Sequence, residues 1–173
     1  MRTAMVTVLP YDGRWAEEFL QIKAELTAAL VELATTIEHI GSTSVVGMSA
    51  KPCIDIDVVI TDYSVFDEVV RRLAEIGYVH EGDLGIAGRE AFDYSGKEHL
   101  RKHHLYVCPK ESPELRRHLI FRDYLRSHPE AVAKYSRVKE EAAELFPDDI
   151  EKYIEYKSPC IAEIYRVCGL INT

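Results

Sequence analysis

Several features that mark whole classes of protein are missing from this sequence. No apolar run approaches the roughly 18 residues that a transmembrane helix needs, and the N-terminus lacks the basic and apolar regions of a signal peptide. The four cysteines are scattered without a Cys-x-x-Cys pair, which argues against zinc ribbons and dithiol redox motifs. Basic residues are few, 21 against 29 acidic ones for a net charge of −8, so general nucleic-acid binding is not expected. These absences predict a cytoplasmic protein that neither spans a membrane nor coats nucleic acid.

The sequence does have the composition of a globular domain, with 173 residues, 47% hydrophobic and 29% charged. It begins with a helical pattern, because apolar residues recur at spacings of three and four from Trp15 to Leu33. A strand, a turn, a strand, a helix, several short strands and a helical tail follow. This order predicts an α+β fold in which helices flank a small mixed sheet. We expect residues 1–111 to form an α/β core and residues 112–173 a C-terminal helical segment packed on it, within one compact domain.

Alternating and β-branched segments predict five strands. They are Thr36–Ile40, Cys53–Ile60, Tyr78–Glu81, Glu90–Tyr94 and Lys102–Cys108. The tail contains Ser-Pro pairs at 112–113 and 158–159, which are typical of a helix N-cap followed by its first residue. With further breaks near Pro129 and Pro147, the tail is predicted to hold four helices.

Two carboxylates interrupt the second predicted strand. Asp55 and Asp57 project from the same face of it, roughly 7 Å apart along the strand, because strand side chains alternate. Paired carboxylates within an apolar segment repel each other and lose hydration, and a divalent cation between them would remove that cost. Oxygen ligands favour Mg²⁺ or Mn²⁺. The alternative is a polar strand face that meets solvent and pairs with nearby Lys or Arg.

A turn of small residues precedes this strand. If Ser42, Thr43 and Ser44 open a short helix, their N–H groups and hydroxyls can point at an anion such as a phosphate. Gly41 would let that ligand approach the backbone closely. The alternative is an ordinary turn and helix cap, which small residues also form.

The other candidate residues are basic residues that could bind phosphate, a histidine and a cysteine. Lys51 either reaches a phosphate or pairs with Asp55, and Arg89 either clamps a substrate or is a solvated loop charge. The stretch 101–126 holds seven Lys or Arg against three Asp or Glu. These basic residues either form a positively charged surface that faces a nucleotide or lie on a helix surface and pair with acidic neighbours. Within this stretch, Arg116, Arg117 and Arg122 are better candidates for phosphate binding than the lysines, because a guanidinium can donate two parallel hydrogen bonds to a phosphate. His104 is either a structural strand histidine or a metal ligand or proton-transfer group, whereas Cys53 is interpreted as a buried, unreactive thiol.

The combination of turn and strand resembles the signature of the nucleotidyltransferase superfold. Gly41-Ser42 is followed, after twelve residues, by Asp55-Ile56-Asp57 between hydrophobic neighbours. In that superfold the turn holds the triphosphate and the carboxylates bind metals. The resemblance therefore implies phosphate binding at residues 41–44 and metal binding at Asp55 and Asp57.

A resemblance to the GrpB family covers nearly the whole chain. It is carried by long, irregular segments: Leu9–Trp15 (LPYDGRW), Ile37–Ser44 (IEHIGSTS), Ala50–Ile56 (AKPCIDI), Gly88-Arg89, His103–Leu105, Leu115–Leu125 (LRRHLIFRDYL), Phe146–Asp148 and Lys157–Pro159. The family resemblance implies a nucleotidyltransferase-like fold and, because the module is attached to dephospho-coenzyme A kinase in some bacteria, a functional link to that enzyme. It leaves the reaction open.

One departure from active nucleotidyltransferases concerns their third carboxylate, which usually comes from a later strand. The strand Lys102–Cys108 carries no Asp or Glu, and His104 and Tyr106 occupy its alternating face. Glu38, Asp83 and Asp93 are substitutes that the sequence does not place.

Three functions follow from these residues. The first is metal-dependent transfer of a nucleotidyl group from a nucleoside triphosphate to an unknown acceptor, with Asp55, Asp57 and His104 as catalytic residues. The second is a non-catalytic module that binds a nucleotide or a coenzyme A-related ligand. The third, which uses the same metal pair, is hydrolysis of a phosphate ester.

Overall fold

The structure is a computed structural model that describes residues 5–171, in which five strands form one sheet of order β1-β2-β5-β4-β3. The strands are β1 Ala34–Ile40, β2 Ile54–Ile60, β3 Tyr78–Gly82, β4 Glu90–Tyr94 and β5 His103–Pro109. The helices are α1 Arg14–Ala29, α2 Phe66–Glu75, α3 Pro113–Arg126, α4 Pro129–Leu145 and α5 Ile150–Val167, with one-turn 3-10 helices at Ser42–Ser44 and Tyr63–Val65. All five predicted strands are confirmed, each within two residues of its predicted bounds, as is the mixed α+β architecture.

Strand β2 lies between β1 and β5 and is buried along most of its length. It runs antiparallel to β1 and parallel to β5. The register with β5 places Asp55 opposite His104 and Asp57 opposite Tyr106. Because directly opposed residues of neighbouring strands share a face, these four side chains lie together on one side of the sheet.

The other side of the sheet carries the main hydrophobic core. Ile54, Ile56, Val58 and Ile60 alternate with the two aspartates and pack with the apolar stripe of α1 and with α2. The helix predicted from the Trp15 spacing is therefore confirmed, although it ends at Ala29 and Leu33 follows it. Within residues 5–171, no helix combines the length and apolar character needed to cross a bilayer.

The helices α3, α4 and α5 lie on the face that carries the aspartates. Val59 and Cys108, on this face, are buried with Leu115 of α3. Val45 and Met48, which follow the 3-10 turn at Ser42–Ser44, belong to a second cluster with α3, α4 and α5. The aspartate-bearing strand and the turn are therefore covered by the C-terminal helices.

The prediction of four helices after Ser112 is wrong, since α5 continues through Ser158-Pro159. Asp149 caps α5 instead, its side chain accepting a hydrogen bond from the N–H of Lys152 at 3.1 Å. Proline cannot donate to the carbonyl one turn earlier and crowds it, which normally ends or bends a helix. Here the Ser158 hydroxyl donates to the carbonyl of Ile154 at 2.7 Å, and buried residues on both sides of the proline keep the helix packed.

Replacing Ser112 by alanine is expected to destabilise the fold by roughly 2–3 kcal/mol. The buried Ser112 hydroxyl accepts from the N–H of Leu115 at 3.3 Å, as an N-cap, and donates to the carbonyl of Gly88 at 2.8 Å. Asp149→Ala is the control, because Asp149 caps α5 with no comparable bond to a distant loop. Urea unfolding would compare the two variants, and equal losses would mean that the bond to Gly88 contributes nothing.

Candidate functional site

The two aspartates of β2 are held by histidines from different elements. The Asp55 carboxylate accepts from or shares a proton with His104 of β5, with 2.8 Å between Oδ1 and Nδ1. Asp57 is completely buried, and its Oδ2 lies 2.6 Å from Nδ1 of His118 in α3. Its other oxygen, Oδ1, has no hydrogen-bond partner among residues 5–171. One carboxylate oxygen is therefore buried beside a second carboxylate with nothing to balance it.

The protonation of these groups reflects their surroundings. Burial raises the pKa of Asp57, against the opposing effect of the hydrogen bond with His118. The hydrogen bond with Asp55, aided by the Cys53 thiol, raises the pKa of His104 to about 10. At neutral pH His104 is consequently an imidazolium ion paired with Asp55. For Asp57, burial outweighs the effect of His118 and Arg89, both of which favour its ionised form.

The strand registers show which residues lie opposite Asp57. Tyr106 lies opposite Asp57 on β5, and Glu38 lies opposite Asp57 on β1. The Glu38 carboxylate accepts a hydrogen bond from Arg122 of α3 at 2.8 Å. Asp83, in contrast, lies in the β3–β4 loop and caps the N–H of Gly85. Asp93 lies on β4 opposite Val79 of β3. Of the three substitutes, Glu38 is therefore the one that lies directly opposite Asp57.

The turn at residues 41–44 touches the aspartates through its glycine. Gly41 has φ 73° and ψ −175°, and a Cβ placed on it would lie 2.5 Å from Oδ2 of Asp55. The Thr43 hydroxyl lies 2.9 Å from the His39 ring, and the Ser44 hydroxyl donates to the carbonyl of Gly41. Ser42 is different, because its hydroxyl accepts a hydrogen bond from a lysine rather than bonding within the turn.

Two arginines one turn apart on α3 secure this segment at both ends. Arg122 donates to the carbonyl of His39 at 3.1 Å, just before the turn. Arg126 donates to the carbonyl of Ser44 at 3.0 Å, where the turn ends. The turn is thus attached to the C-terminal helices by hydrogen bonds as well as by apolar packing.

A cavity of about 180 Å³ opens beside Ser42, and we call it the lysine pocket. Its lining includes Lys51, Lys139 of α4 and Lys157 of α5. Lys139 is almost fully buried, and its Nζ donates to the Ser42 hydroxyl at 2.7 Å. Burial lowers the pKa of Lys139 to about 7 and also lowers the pKa of Lys157. Among residues 5–171 neither Lys139 nor Lys51 has a carboxylate within ion-pair distance, and three lysines line the pocket against one carboxylate, Asp55.

A larger cavity of about 620 Å³ lies between the sheet and helices α3 and α5, and we call it the central chamber. It joins the lysine pocket, because Asp55, His104 and Lys157 line both. The other residues that line it are Ile40, Gly41, Arg89, Tyr106, Arg117, His118, Phe121, Ile154 and Tyr165. The Arg89 guanidinium lies 4.2 Å from the centre of the Tyr106 ring, and its buried Nε has no partner in the described part of the chain. The chamber has the size of a small-molecule site and combines aromatic with positively charged walls.

Comparison with known proteins identifies the family. The family model described as GrpB protein matches residues 5–167. The chain belongs to the GrpB family. A GrpB protein of Enterococcus faecalis has a crystal structure that superposes with a TM-score of 0.76 and 30% identity, over 92% of this chain and 100% of that one. The GrpB prediction from the sequence is therefore confirmed.

Relatives of this GrpB chain include longer proteins. The UPF0157 protein YqkA of Bacillus subtilis is 36% identical over 156 residues, which cover 90% of this chain and 45% of YqkA. A dephospho-CoA kinase of Mycolicibacterium paratuberculosis is 27% identical over 94% of this chain and 46% of the kinase. The chain thus spans less than half the length of both relatives.

The fold of this GrpB chain is nucleotidyltransferase-like. The Cid1 poly(U) polymerase bound to MgATP superposes with a TM-score of 0.54 and 10% identity, over 76% of this chain and 42% of that one. Such low identity shows a common fold and carries no residue roles. The predicted nucleotidyltransferase-like fold is confirmed at that level.

The remaining basic candidates of the GrpB chain are divided between the site and structural roles. Arg117 lines the central chamber together with Arg89, whereas Arg122 pairs with Glu38. Arg116 lines a separate surface cavity. The basic stretch 101–126 therefore supplies one chamber arginine, Arg117, and two that join α3 to β1 and the turn, Arg122 and Arg126.

Three site residues of the GrpB chain were not identified from the sequence: His118, Lys139 and Lys157. Lys139 did carry a signal, since it falls on the buried stripe of α4 together with Val132, Tyr135, Ser136 and Ala142. A lysine at a stripe position is unusual, because an ammonium group loses hydration on burial. The prediction that Cys53 is buried is wrong: it precedes β2, is half-buried, and its Sγ lies 3.8 Å from Nδ1 of His104.

Proposed function

We propose that this chain binds a nucleoside triphosphate with a divalent cation and transfers its nucleotidyl group to an acceptor hydroxyl. The observation that carries the proposal is the buried, unpartnered Oδ1 of Asp57, on the same strand face as Asp55 and next to the turn at Gly41. A buried carboxylate oxygen without a donor is costly unless a cation balances it. The fold similarity to Cid1, whose structure contains MgATP, supports the same assignment.

Asp55 and Asp57 fit a magnesium or manganese ion, because both supply hard oxygen ligands and Asp57 has one oxygen free. When bound, such an ion neutralises phosphate charge and stabilises the oxygens that attack and leave. Gly41 keeps the space in front of Asp55 open, since any side chain there would meet the Asp55 carboxylate.

The triphosphate fits the lysine pocket. Lys51, Lys139 and Lys157 supply positive charge there, and the Ser42 hydroxyl, which now accepts from Lys139, can donate to a phosphate oxygen. Ligand phosphates would balance ammonium groups that lack a carboxylate partner in residues 5–171. The pocket therefore suits a highly charged anion better than a neutral metabolite.

The remainder of the nucleotide and the acceptor fit the central chamber. Arg89 lies over the Tyr106 ring and Arg117 over the Tyr165 ring, and these arginine–tyrosine pairs offer guanidinium donors and planar surfaces for a base. In the transfer, the acceptor oxygen bonds to the α-phosphorus, the bond from that phosphorus to the leaving pyrophosphate breaks, and the proton of the acceptor hydroxyl passes to solvent water. His104, which Asp55 holds in its protonated form, suits charge-assisted hydrogen-bond donation to a phosphate oxygen.

One observation favours a second function, a binding module without catalysis. Tyr106 faces Asp57 on the strand where active nucleotidyltransferases usually supply a third carboxylate, and each aspartate already has a histidine partner. Such a module would hold a nucleotide or a coenzyme A-related ligand in the same cavities. The similarity to a dephospho-CoA kinase, which this chain matches over 46% of the kinase, motivates coenzyme A-related ligands and a functional link to that enzyme.

Calorimetric titration of ATP, GTP, CTP and UTP with and without Mg²⁺ tests both functions. We expect magnesium to tighten the binding of at least one triphosphate, and Asp55→Asn and Asp57→Asn to remove the magnesium effect, because each amide loses the anionic oxygen that the cation needs. Asp67→Asn, which removes an exposed carboxylate from α2, is the matched control and should bind as the wild type does.

The outcome separates the alternatives. Triphosphate binding that ignores both magnesium and the two substitutions would contradict the metal site. Magnesium-dependent binding without pyrophosphate release over a broad panel of acceptor alcohols would instead favour the binding module.

A further inference from the structure

Three different donor atoms meet beside Asp55, on the side away from Asp57. The Cys53 Sγ lies 3.8 Å from Nδ1 of His104, and this nitrogen lies 2.8 Å from Oδ1 of Asp55. All three donor atoms lie within 4.8 Å of one another. The cluster is half open to solvent, so that an ion from solution can reach it.

The backbone fixes this arrangement through the sheet. Cys53 stands two residues before Asp55, so both side chains leave β2 on the same face, and His104 is directly opposite Asp55 in the parallel pairing. Hydrogen bonds hold the start of the strand, from the N–H of Cys53 to the carbonyl of Lys51 at 2.7 Å and from the N–H of Ile54 to the carbonyl of Lys102 at 3.0 Å. Asp55 and His104 therefore lie on paired strands, and Cys53 directly precedes β2 in a segment held by backbone hydrogen bonds.

We propose that Cys53, Asp55 and His104 bind a thiophilic divalent cation such as Zn²⁺, which would displace the proton of the His104 imidazolium and that of the Cys53 thiol into solvent. Zinc takes sulfur, imidazole nitrogen and carboxylate oxygen in tetrahedral sites, where neighbouring ligand atoms are about 3.3–3.7 Å apart. The sulfur–nitrogen distance of 3.8 Å is close to that range, the nitrogen–oxygen distance of 2.8 Å would widen by about half an ångström, and the sulfur–oxygen distance is at most 4.8 Å. Magnesium, by contrast, prefers oxygen ligands and gains nothing from the thiol.

This cation site differs from the proposed Asp55–Asp57 site in its ligands but shares Asp55 with it. A zinc ion held by Cys53 and His104 would occupy the Asp55 oxygen that the magnesium ion needs. Zinc should therefore act as an antagonist of magnesium-dependent triphosphate binding, a consequence that rests on the proposed function, whereas zinc binding itself does not. Three protein ligands also leave a fourth position at which water or a phosphate oxygen can bind.

Titration of the intact chain with Co²⁺ alone tests the site, because the visible absorption of bound cobalt depends on the type and geometry of its ligands. We expect one equivalent of Co²⁺ to produce a thiolate-to-metal charge-transfer band and strong visible absorption from tetrahedral cobalt, and Zn²⁺ to displace it. Cys53→Ser should remove the charge-transfer band and weaken binding by more than about 100-fold, since the site loses its only thiolate. Cys168→Ser, at another half-buried free thiol, should leave the band unchanged.

Asp57→Asn separates this proposal from the proposed function. It should retain the cobalt spectrum, because Asp57 is not a ligand of this site, while losing the magnesium effect on triphosphate binding. A chain with no magnesium-dependent triphosphate binding but with the Cys53-dependent spectrum would refute only the proposed function. Absence of a charge-transfer band, or a band that survives Cys53→Ser in a variant with wild-type circular dichroism, would overturn the zinc site.

Discussion

Replacing Gly41 by alanine is expected to reduce magnesium-dependent triphosphate binding by more than about 100-fold, equivalent to about 3 kcal/mol, and to lower the thermal midpoint. The Gly41 backbone, at φ 73° and ψ −175°, occupies a region that only glycine adopts readily. The new methyl carbon would also lie 2.5 Å from Oδ2 and 3.2 Å from Cβ of Asp55. Because Asp55 belongs to a paired central strand, the backbone cannot shift and the side chain must rotate away. The carboxylate then leaves both the proposed magnesium site and the turn at residues 41–44.

Gly96→Ala is the matched control for the backbone strain. Gly96 has φ 70°, but nothing lies within 4 Å of the position its Cβ would take. Each variant should lose about 1–3 kcal/mol of stability from the positive φ, a shift of roughly 3–10 °C in the midpoint. Calorimetric titration of the triphosphate in magnesium should then separate them, since only the Gly41 variant displaces Asp55. Equal binding by the two variants would show that the contact with Asp55 has no bearing on the ligand.

The second large effect is expected from Lys139→Met, which should make the protein more stable near pH 7 and weaken triphosphate binding. Burial lowers the pKa of Lys139 to about 7, from an ordinary value of 10.5. Between these two pH values the unfolded chain binds a proton that the folded chain does not, so the wild-type stability rises with pH across this window. Methionine removes the titrating group, and the variant should lose this part of the pH dependence.

Binding should respond in the opposite direction. Anionic phosphates favour the charged form of Lys139, so the wild type should take up protons on binding and lose affinity as the pH rises from 7 to 9. The variant should bind about 10–100-fold more weakly at pH 7, the effect of losing a hydrogen bond from a charged donor. Lys157, whose pKa is also lowered by burial, should leave a smaller residual pH dependence.

Melting curves at several pH values and calorimetry in two buffers of different ionisation enthalpy measure both effects. Lys134→Met is the control on the same helix, because Lys134 is exposed and paired with Glu163 at 2.8 Å. If Lys139→Met and Lys134→Met change the pH dependence of stability equally, Lys139 is not the buried titrating group.

The sequence predicted the aspartate face well, and the reason is local. Strand alternation places Asp55 and Asp57 on one side whatever surrounds them, and the same rule placed His104 and Tyr106 together on β5. The parallel pairing of β2 with β5, which brings His104 to Asp55, depends on the whole sheet and could only be expected from the family resemblance.

The helical side of the lysine pocket could not be predicted, because Lys139 and Lys157 lie far along the chain from Ser42 and Lys51. Lys139 and Lys157 reach Ser42 only after α4 and α5 dock on the sheet. The same limitation explains the error at Ser158-Pro159, where the local sequence is typical of a helix start. Packing of the α5 stripe, with Tyr153 before the proline and Ile164 after it, outweighs that local preference.

The two arginines of α3 that hold His39 and Ser44 have an entropic consequence. A flexible phosphate-binding segment must be ordered when its ligand arrives, and that ordering reduces affinity. Here the helix fixes both ends of the segment during folding, through bonds of 3.1 and 3.0 Å from Arg122 and Arg126. Preorganisation of this kind means that a ligand meets a rigid receptor, so association should proceed with little loss of backbone freedom.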